Sequence, residues 1–175
     1  MSARAIADGP GFLERWGLAL AAPRAALRLA DDPAASGRAA GDLLRAIVVV
    51  LIVAHTRELV AAAWIAGAVS WRDAWPGLMR AVSGAAMFGL VFVVVATPVV
   101  SLCAGARRHL GRDFDLGCVA ALVPVTVSLV ATLVARTAFA DGGLGPTGRA
   151  LVLLTALGWS GAITALAIAE ARRRS

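Results

Sequence analysis

Residues 81–104 read AVSGAAMFGLVFVVVATPVVSLCA, a run of 24 residues with no charged side chain. About 20 apolar residues suffice for an α-helix to cross the hydrocarbon core of a bilayer. Pro98 predicts a kink in this helix, because its ring removes one helical hydrogen bond. The segment therefore predicts a transmembrane helix, and segments 116–135 and 150–169 repeat the pattern.

A further span is predicted over residues 45–69, and it is less regular. Residues 47–54 are apolar, residues 55–58 read HTRE, and residues 59–69 are again mostly apolar. Each apolar half is too short to cross a bilayer alone, whereas the joined segment is long enough. The fold class predicted is all-α, a polytopic membrane helix bundle of about four transmembrane helices within residues 42–171.

The composition excludes an ordinary soluble domain. The chain is 59% hydrophobic and 16% charged, against roughly 45–50% and about 25% in average soluble domains. The net charge of +6 is carried by arginine, with no lysine, which we interpret as codon bias in a GC-rich bacterial genome. Because the arginines lie between the apolar spans and at the termini, they favour a role in membrane orientation over nucleic acid binding.

Residues 1–41 form a cytoplasmic amphipathic preamble that does not resemble a cleaved signal peptide. Trp16 and neighbouring apolar residues recur at helical spacing, with arginines nearby. This pattern fits either an interfacial helix at the headgroup boundary or a short helix packed on the cytoplasmic ends of the bundle. Asp32-Pro33 marks a helix start, and residues 172–175 form a basic tail.

The arginine distribution predicts the orientation. With four spans, twelve arginines lie in the N-terminal segment, the loop between spans two and three, and the tail; four lie in the other two loops. The positive-inside rule then places both termini in the cytoplasm of a multi-pass inner (plasma) membrane protein. Residues 70–80 predict a loop at the outer interface, where Trp64, Trp71 and Trp75 would form an aromatic belt.

His55, Arg57 and Glu58 form the candidate intramembrane polar site. Charged residues within a span are costly and usually face a bundle interior or a water-filled cavity. His55 and Glu58 are three residues apart and share a helical face, so they could relay a proton or hold an ion, with Arg57 paired to another span. The alternative is structural: a bent helix, or one shifted so that these residues meet the outer interface.

A second set of candidates consists of cytoplasmic arginines that either bind anionic lipid headgroups or only orient the chain. Its members are Arg107, Arg108, Arg112, Arg172, Arg173 and Arg174. Cys103, His109 and Cys118 suggest a metal site only loosely, because their spacing is irregular and a fourth ligand is missing. We therefore expect no metal, no cofactor and no catalytic residue.

The stretch from Pro98 to Pro124 resembles the central part of the Yip1 family. It contains an apolar helix, the linker Gly111-Arg112-Asp113-Phe114, and a helix that carries Ala120-Ala121 before the proline. Upstream, Ala22-Pro23-Arg24-Ala25 followed by Asp32-Pro33 is similar to the preamble of bacterial Yip1-like proteins. The resemblance implies a small multi-span membrane protein without catalysis.

Two functions are carried forward from the sequence. The first is a scaffold or interaction module of the bacterial inner membrane, with the lipid bilayer and a membrane-protein partner or a second copy as its partners. The alternative is a small transporter or channel component that uses the polar residues of the first span.

Overall fold

The computed structural model describes residues 10–104, 110–138 and 144–173, and all regular structure in these ranges is helical. The predicted all-α bundle is thereby confirmed. The helices are α1 (Phe12–Ala21), α2 (Pro23–Ala30), α3 (Arg38–Ala54), α4 (Thr56–Ala68), α5 (Trp71–Ala104), α6 (Leu110–Ala138) and α7 (Pro146–Arg173), with a short 3-10 turn at Pro33–Ala35.

Three helices are each long and apolar enough to cross a membrane: α5, α6 and α7. Helices α3 and α4 meet this criterion only together, as one broken span bent by 75°. The described part of the chain therefore has three candidate spans, or four if α3 and α4 count as one. This agrees with a multi-span helical membrane protein.

The span predicted over residues 45–69 consists of two helices, because the chain breaks at His55, and this agrees with the bent helix considered above as the structural alternative. His55 leaves the helical region, with φ −118° and ψ 16°. Its N–H still donates to the Leu51 carbonyl at 3.1 Å, and its own carbonyl accepts from the Leu59 N–H at 2.9 Å. His55 therefore ends α3 and begins α4, so that the chain turns without losing either hydrogen bond.

The predicted loop at residues 70–80 is wrong, because α5 begins at Trp71. Ser70 caps this helix. Its hydroxyl donates to Asp73 Oδ2 at 2.5 Å and accepts from the Asp73 N–H at 3.2 Å. Ser and Asp three residues apart are a known signal for a helix start, which the tryptophans and Pro76 obscured.

Helix α6 lies at the centre of the bundle. Eleven consecutive residues, 115–125, are buried, and α6 packs against α3, α5 and α7. Small residues allow the close approach: a Cβ on Gly117 would lie 2.5 Å from Thr97 Oγ1 on α5. On the α7 side, the Ser160 hydroxyl donates to the Ala120 carbonyl at 3.4 Å.

Helices α1 and α2, here called the N-terminal strap (residues 12–30), pack on α6 and α7. Trp16 and Leu27 are buried in the common core. The indole Nε1 of Trp16 donates to Thr126 Oγ1 at 2.8 Å, halfway along α6. Of the two arrangements considered from the sequence, the structure shows the strap packed on the bundle.

Candidate functional site

The first candidate site lies at the break between α3 and α4. Arg136, near the end of α6, places Nη2 2.8 Å from both carboxylate oxygens of Glu58 on α4. His55 Nδ1 lies 4.0 Å from Glu58 Oε2. The Glu58 side chain is 37% exposed and that of Arg136 is 29% exposed, so the pair lies at the edge of the bundle and not in its core.

Gly84 on α5 has no side chain and so leaves room for the imidazole of His55. A Cβ on Gly84 would lie 3.0 Å from His55 Cε1, so the ring packs directly against the backbone of α5. The side chain of His55 is consequently only 19% exposed. Three helices thus meet at this point, where the carboxylate of Glu58 lies between the imidazole of His55 and the guanidinium of Arg136.

Arg57 takes no part in this contact. It is exposed, and within the described ranges it forms no ion pair. The expected pairing of Arg57 with another span is therefore not found there. Arg136 on α6 is instead the residue that pairs with Glu58 from another helix. Adjacent residues on a helix point in different directions, and only Glu58 faces α6.

The second site lies at the opposite end of α6, and no pattern in the sequence pointed to it. Five carboxylates are buried there, each with at most 8% of its residue surface exposed. Asp31 directly follows α2, and Asp42 lies in α3. Asp113 and Asp115 lie in the first turns of α6, and Glu170 lies near the end of α7.

Arginines from other helices pair with three of these carboxylates: Asp31, Asp42 and Glu170. Arg15 on α1 pairs with Asp42 on α3 through two hydrogen bonds of 2.6 and 2.7 Å. Arg112 on α6 reaches Asp31 at the end of α2, with Nη2 3.0 Å from Oδ1 and 2.6 Å from the carbonyl oxygen. The hydrogen bonds that the Arg15 guanidinium donates to Asp42 raise the pKa of Arg15 above its ordinary value.

A side-chain contact ties the strap to α7, and a backbone contact ties the segment between the strap and α3 to α6. Arg28 Nε lies 3.2 Å from Glu170 Oε1, and the Gly37 N–H donates to Asp115 Oδ2 at 2.8 Å. Buried charges are tolerated only when paired or hydrogen-bonded. This second cluster therefore fixes the strap to the bundle, and we call it the strap lock (Arg15, Arg28, Asp31, Asp42, Arg112, Asp115 and Glu170).

The cytoplasmic arginines predicted from the sequence divide into two groups. Arg112 belongs to the strap lock, Arg172 Nε donates to the Cys103 carbonyl at 2.9 Å, and Arg173 lies 3.6 Å from Glu170. These three therefore make contacts within the protein. The other three predicted arginines, Arg107, Arg108 and Arg174, lie outside the described residues.

The two cysteines differ in their exposure to solvent or lipid. Cys103 is exposed near the end of α5, and Cys118 is buried in α6; His109 lies outside the described residues. In the described part of the chain, no three His, Cys, Asp or Glu side chains are grouped so that they could hold a metal ion. The strap lock consists of three ion pairs between helices and of the hydrogen bond from the Gly37 N–H to Asp115.

Two ion-paired sites therefore lie at opposite ends of one central helix. Asp115 and Arg136 are 21 residues apart on α6, a separation of about 31 Å along the helix at 1.5 Å per residue. This length matches the hydrocarbon core of a bilayer, about 30 Å thick. No known protein family, curated protein or solved structure matches this chain.

Proposed function

We propose that this chain is a non-catalytic interaction module or scaffold of a membrane. The observation that carries the proposal is the buried run of residues 115–125 in α6. A helix buried on all sides fills the axis of its bundle. A substrate path along that axis would have to displace these tightly packed side chains, so the outer surfaces of the bundle are the part available for function.

The ionisable groups support the same proposal. At both ends of α6, carboxylates are paired with arginines of the same chain, as in Glu58–Arg136 and Asp42–Arg15. The resemblance to the Yip1 family also implies a small multi-span protein without catalysis. We extend the proposal to a bacterial inner membrane, on the basis of the inferred codon bias, and to both termini in the cytoplasm, on the basis of the arginine distribution.

The orientation predicts which positions an external reagent reaches. In a variant with Cys103 and Cys118 replaced by Ser, single cysteines are introduced at Ser36 and Ala68, both exposed. We expect a membrane-impermeant maleimide to label Ala68→Cys in intact spheroplasts and Ser36→Cys only after permeabilisation. Labelling of Ser36→Cys in intact spheroplasts would contradict the proposed orientation and indicate the opposite one.

The scaffold role predicts discrete partners at the outer faces of the bundle. A photo-crosslinking amino acid is placed at Val94 on α5 or Leu154 on α7, which are 70% and 66% exposed. We expect at least one position to yield a defined cross-linked protein in native membranes, whereas the buried Ile163 yields none. A set of exposed positions that cross-links only lipid would contradict the proposal.

The alternative, a small transporter or channel component, is favoured by the break at His55. Discontinuous helices with polar groups at the break often form transport sites. Glu58→Gln separates the two functions, with Arg57→Gln as the control because Arg57 is exposed and outside the contact. For a scaffold, we expect Glu58→Gln to keep the cross-linking pattern and to lose about 0–1 kcal/mol of stability, as for partly exposed pairs.

A transporter would give a different result in that experiment. Glu58→Gln would remain folded, judged by gel filtration, but would lose flux in proteoliposomes, while Arg57→Gln would keep it. Solute flux in the parent protein that depends on Glu58 would therefore overturn the scaffold proposal.

A further inference from the structure

A groove between α6 and α7 opens on the membrane-facing side of the bundle. It has a volume of about 500 Å³. Thr126 and Val134 on α6 and Leu151 and Trp159 on α7 line it, and Leu20 of α1 closes the wall beside Thr126. Apart from two threonines, all of its lining side chains are apolar.

The position of the strap explains why the groove extends along only half of α6. Thr126 is eleven residues from Asp115 and ten from Arg136, so it lies near the middle of α6. The strap reaches Thr126 through Trp16 and covers α6 on the Asp115 side. The uncovered half, from Thr126 to Arg136, is about 15 Å long, which matches one leaflet of a hydrocarbon core of about 30 Å.

A cation lies at the open end of the groove. Arg149 is exposed, and its Nε donates to the carbonyl of Leu144 at 2.9 Å. Leu144 itself lines the groove, so the guanidinium lies at the groove mouth. Among the described residues the two terminal nitrogens of Arg149 have no partner, and Arg136 nearby is already paired with Glu58.

We propose that this groove binds one acyl chain of an anionic phospholipid whose phosphate group contacts Arg149. The groove lies between two candidate membrane spans, so lipid is the medium that surrounds it. Its apolar walls match an acyl chain, its length matches one leaflet, and the cation at its mouth complements a phosphate. The site is independent of the interaction role proposed above, and it lies at the opposite end of α6 from the strap lock.

Trp159 provides a direct probe, because it lines the groove and is 41% exposed. The parent for this experiment carries Phe at Trp64, Trp71 and Trp75, and keeps the buried Trp16. Its fluorescence is measured in phosphatidylcholine vesicles that contain increasing fractions of dibrominated phosphatidylglycerol or dibrominated phosphatidylcholine. A Trp159→Phe variant gives the contribution of Trp16 to the signal.

We expect half-maximal quenching of Trp159 at a roughly fivefold lower fraction of the anionic lipid, which corresponds to about 1 kcal/mol for one arginine near an anionic headgroup. Arg149→Gln should abolish this preference, and Arg72→Gln, at another exposed arginine, should keep it. Equal quenching by the two lipids in the parent, or an undiminished preference in Arg149→Gln, would overturn the proposal.

The acyl chain is tested separately by filling the groove. Ala131→Phe adds a ring to the α6 wall, and we expect it to reduce quenching by both lipids. Ala162→Phe adds the same bulk on an exposed part of α7 that does not line the groove. Unchanged quenching in a folded Ala131→Phe variant, or equal losses in both variants, would show that the chain does not lie in the groove.

Discussion

Gly117→Ala destabilises the bundle, because its new methyl group has no room between α5 and α6. The added Cβ would lie 2.5 Å from Thr97 Oγ1 and 3.2 Å from the Thr97 backbone nitrogen. Overpacking of this kind typically costs about 1–3 kcal/mol, more than the helix propensity gained when alanine replaces glycine. The measurement is the midpoint of thermal unfolding in detergent, followed by size-exclusion chromatography.

Gly158→Ala on α7 is the matched control, because nothing lies within 4 Å of its added Cβ. It should be neutral or slightly stabilising, since alanine favours the helix.

A second change tests whether the cause is the contact with Thr97. The Thr97 hydroxyl is buried and has no hydrogen-bond partner among the described residues, so Thr97→Ala alone should cost little. Combined with Gly117→Ala, it removes the closest clash and should restore most of the lost stability. A Gly117→Ala variant as stable as the parent, or a double variant no better than the single one, would refute the close packing described for this position.

Asp42→Asn should destabilise the strap lock more strongly. Asp42 is 3% exposed and holds the guanidinium of Arg15 through two hydrogen bonds. Removal of the carboxylate charge leaves a largely buried cation unpaired, a change that costs about 3–5 kcal/mol in buried pairs. Thermal unfolding measures the total loss, and limited proteolysis of the strap shows whether α1 detaches first.

The complementary double variant distinguishes a lost pair from general damage. Arg15→Met with Asp42→Leu removes both charges, and replacement of a buried pair by apolar side chains is often neutral or stabilising. We expect it to be nearer to the parent than Asp42→Asn. Asp32→Asn is the control, because Asp32 is exposed and its Oδ1 caps the Ala34 N–H, which asparagine can also do. A loss for Asp32→Asn equal to that for Asp42→Asn would argue against the strap lock.

The strap and the groove occupy different halves of the surface of α6. The strap covers α6 from the Asp115 end to Thr126. The covered part ends where the indole of Trp16 donates to the Thr126 hydroxyl. From Thr126 onward, the surface between α6 and α7 is open and apolar. Detachment of the strap by Asp42→Asn would thus extend the groove along α6, which links the two sites physically.

The sequence by itself determined the class of protein and most of its helices. Long apolar runs such as 81–104 need no partner to predict a span, because hydropathy depends on each residue and its neighbours alone. The polar residues 55–58 also indicate an interruption and leave a bent helix as one alternative, but the angle of 75° depends on the packing of the helices. Local patterns were also misread, as at Ser70 and Asp73, where a capping signal was present among aromatic residues.

Only the tertiary structure decided which distant residues meet. Arg136 lies 78 residues from Glu58, and Trp16 lies 110 residues from Thr126. Their pairing depends on how helices cross, and that depends on small residues such as Gly84 and Gly117 at the crossings. The strap lock has the same origin: a carboxylate in a polar segment resembles any solvated acid until the packing of several helices removes it from water and requires an arginine beside it.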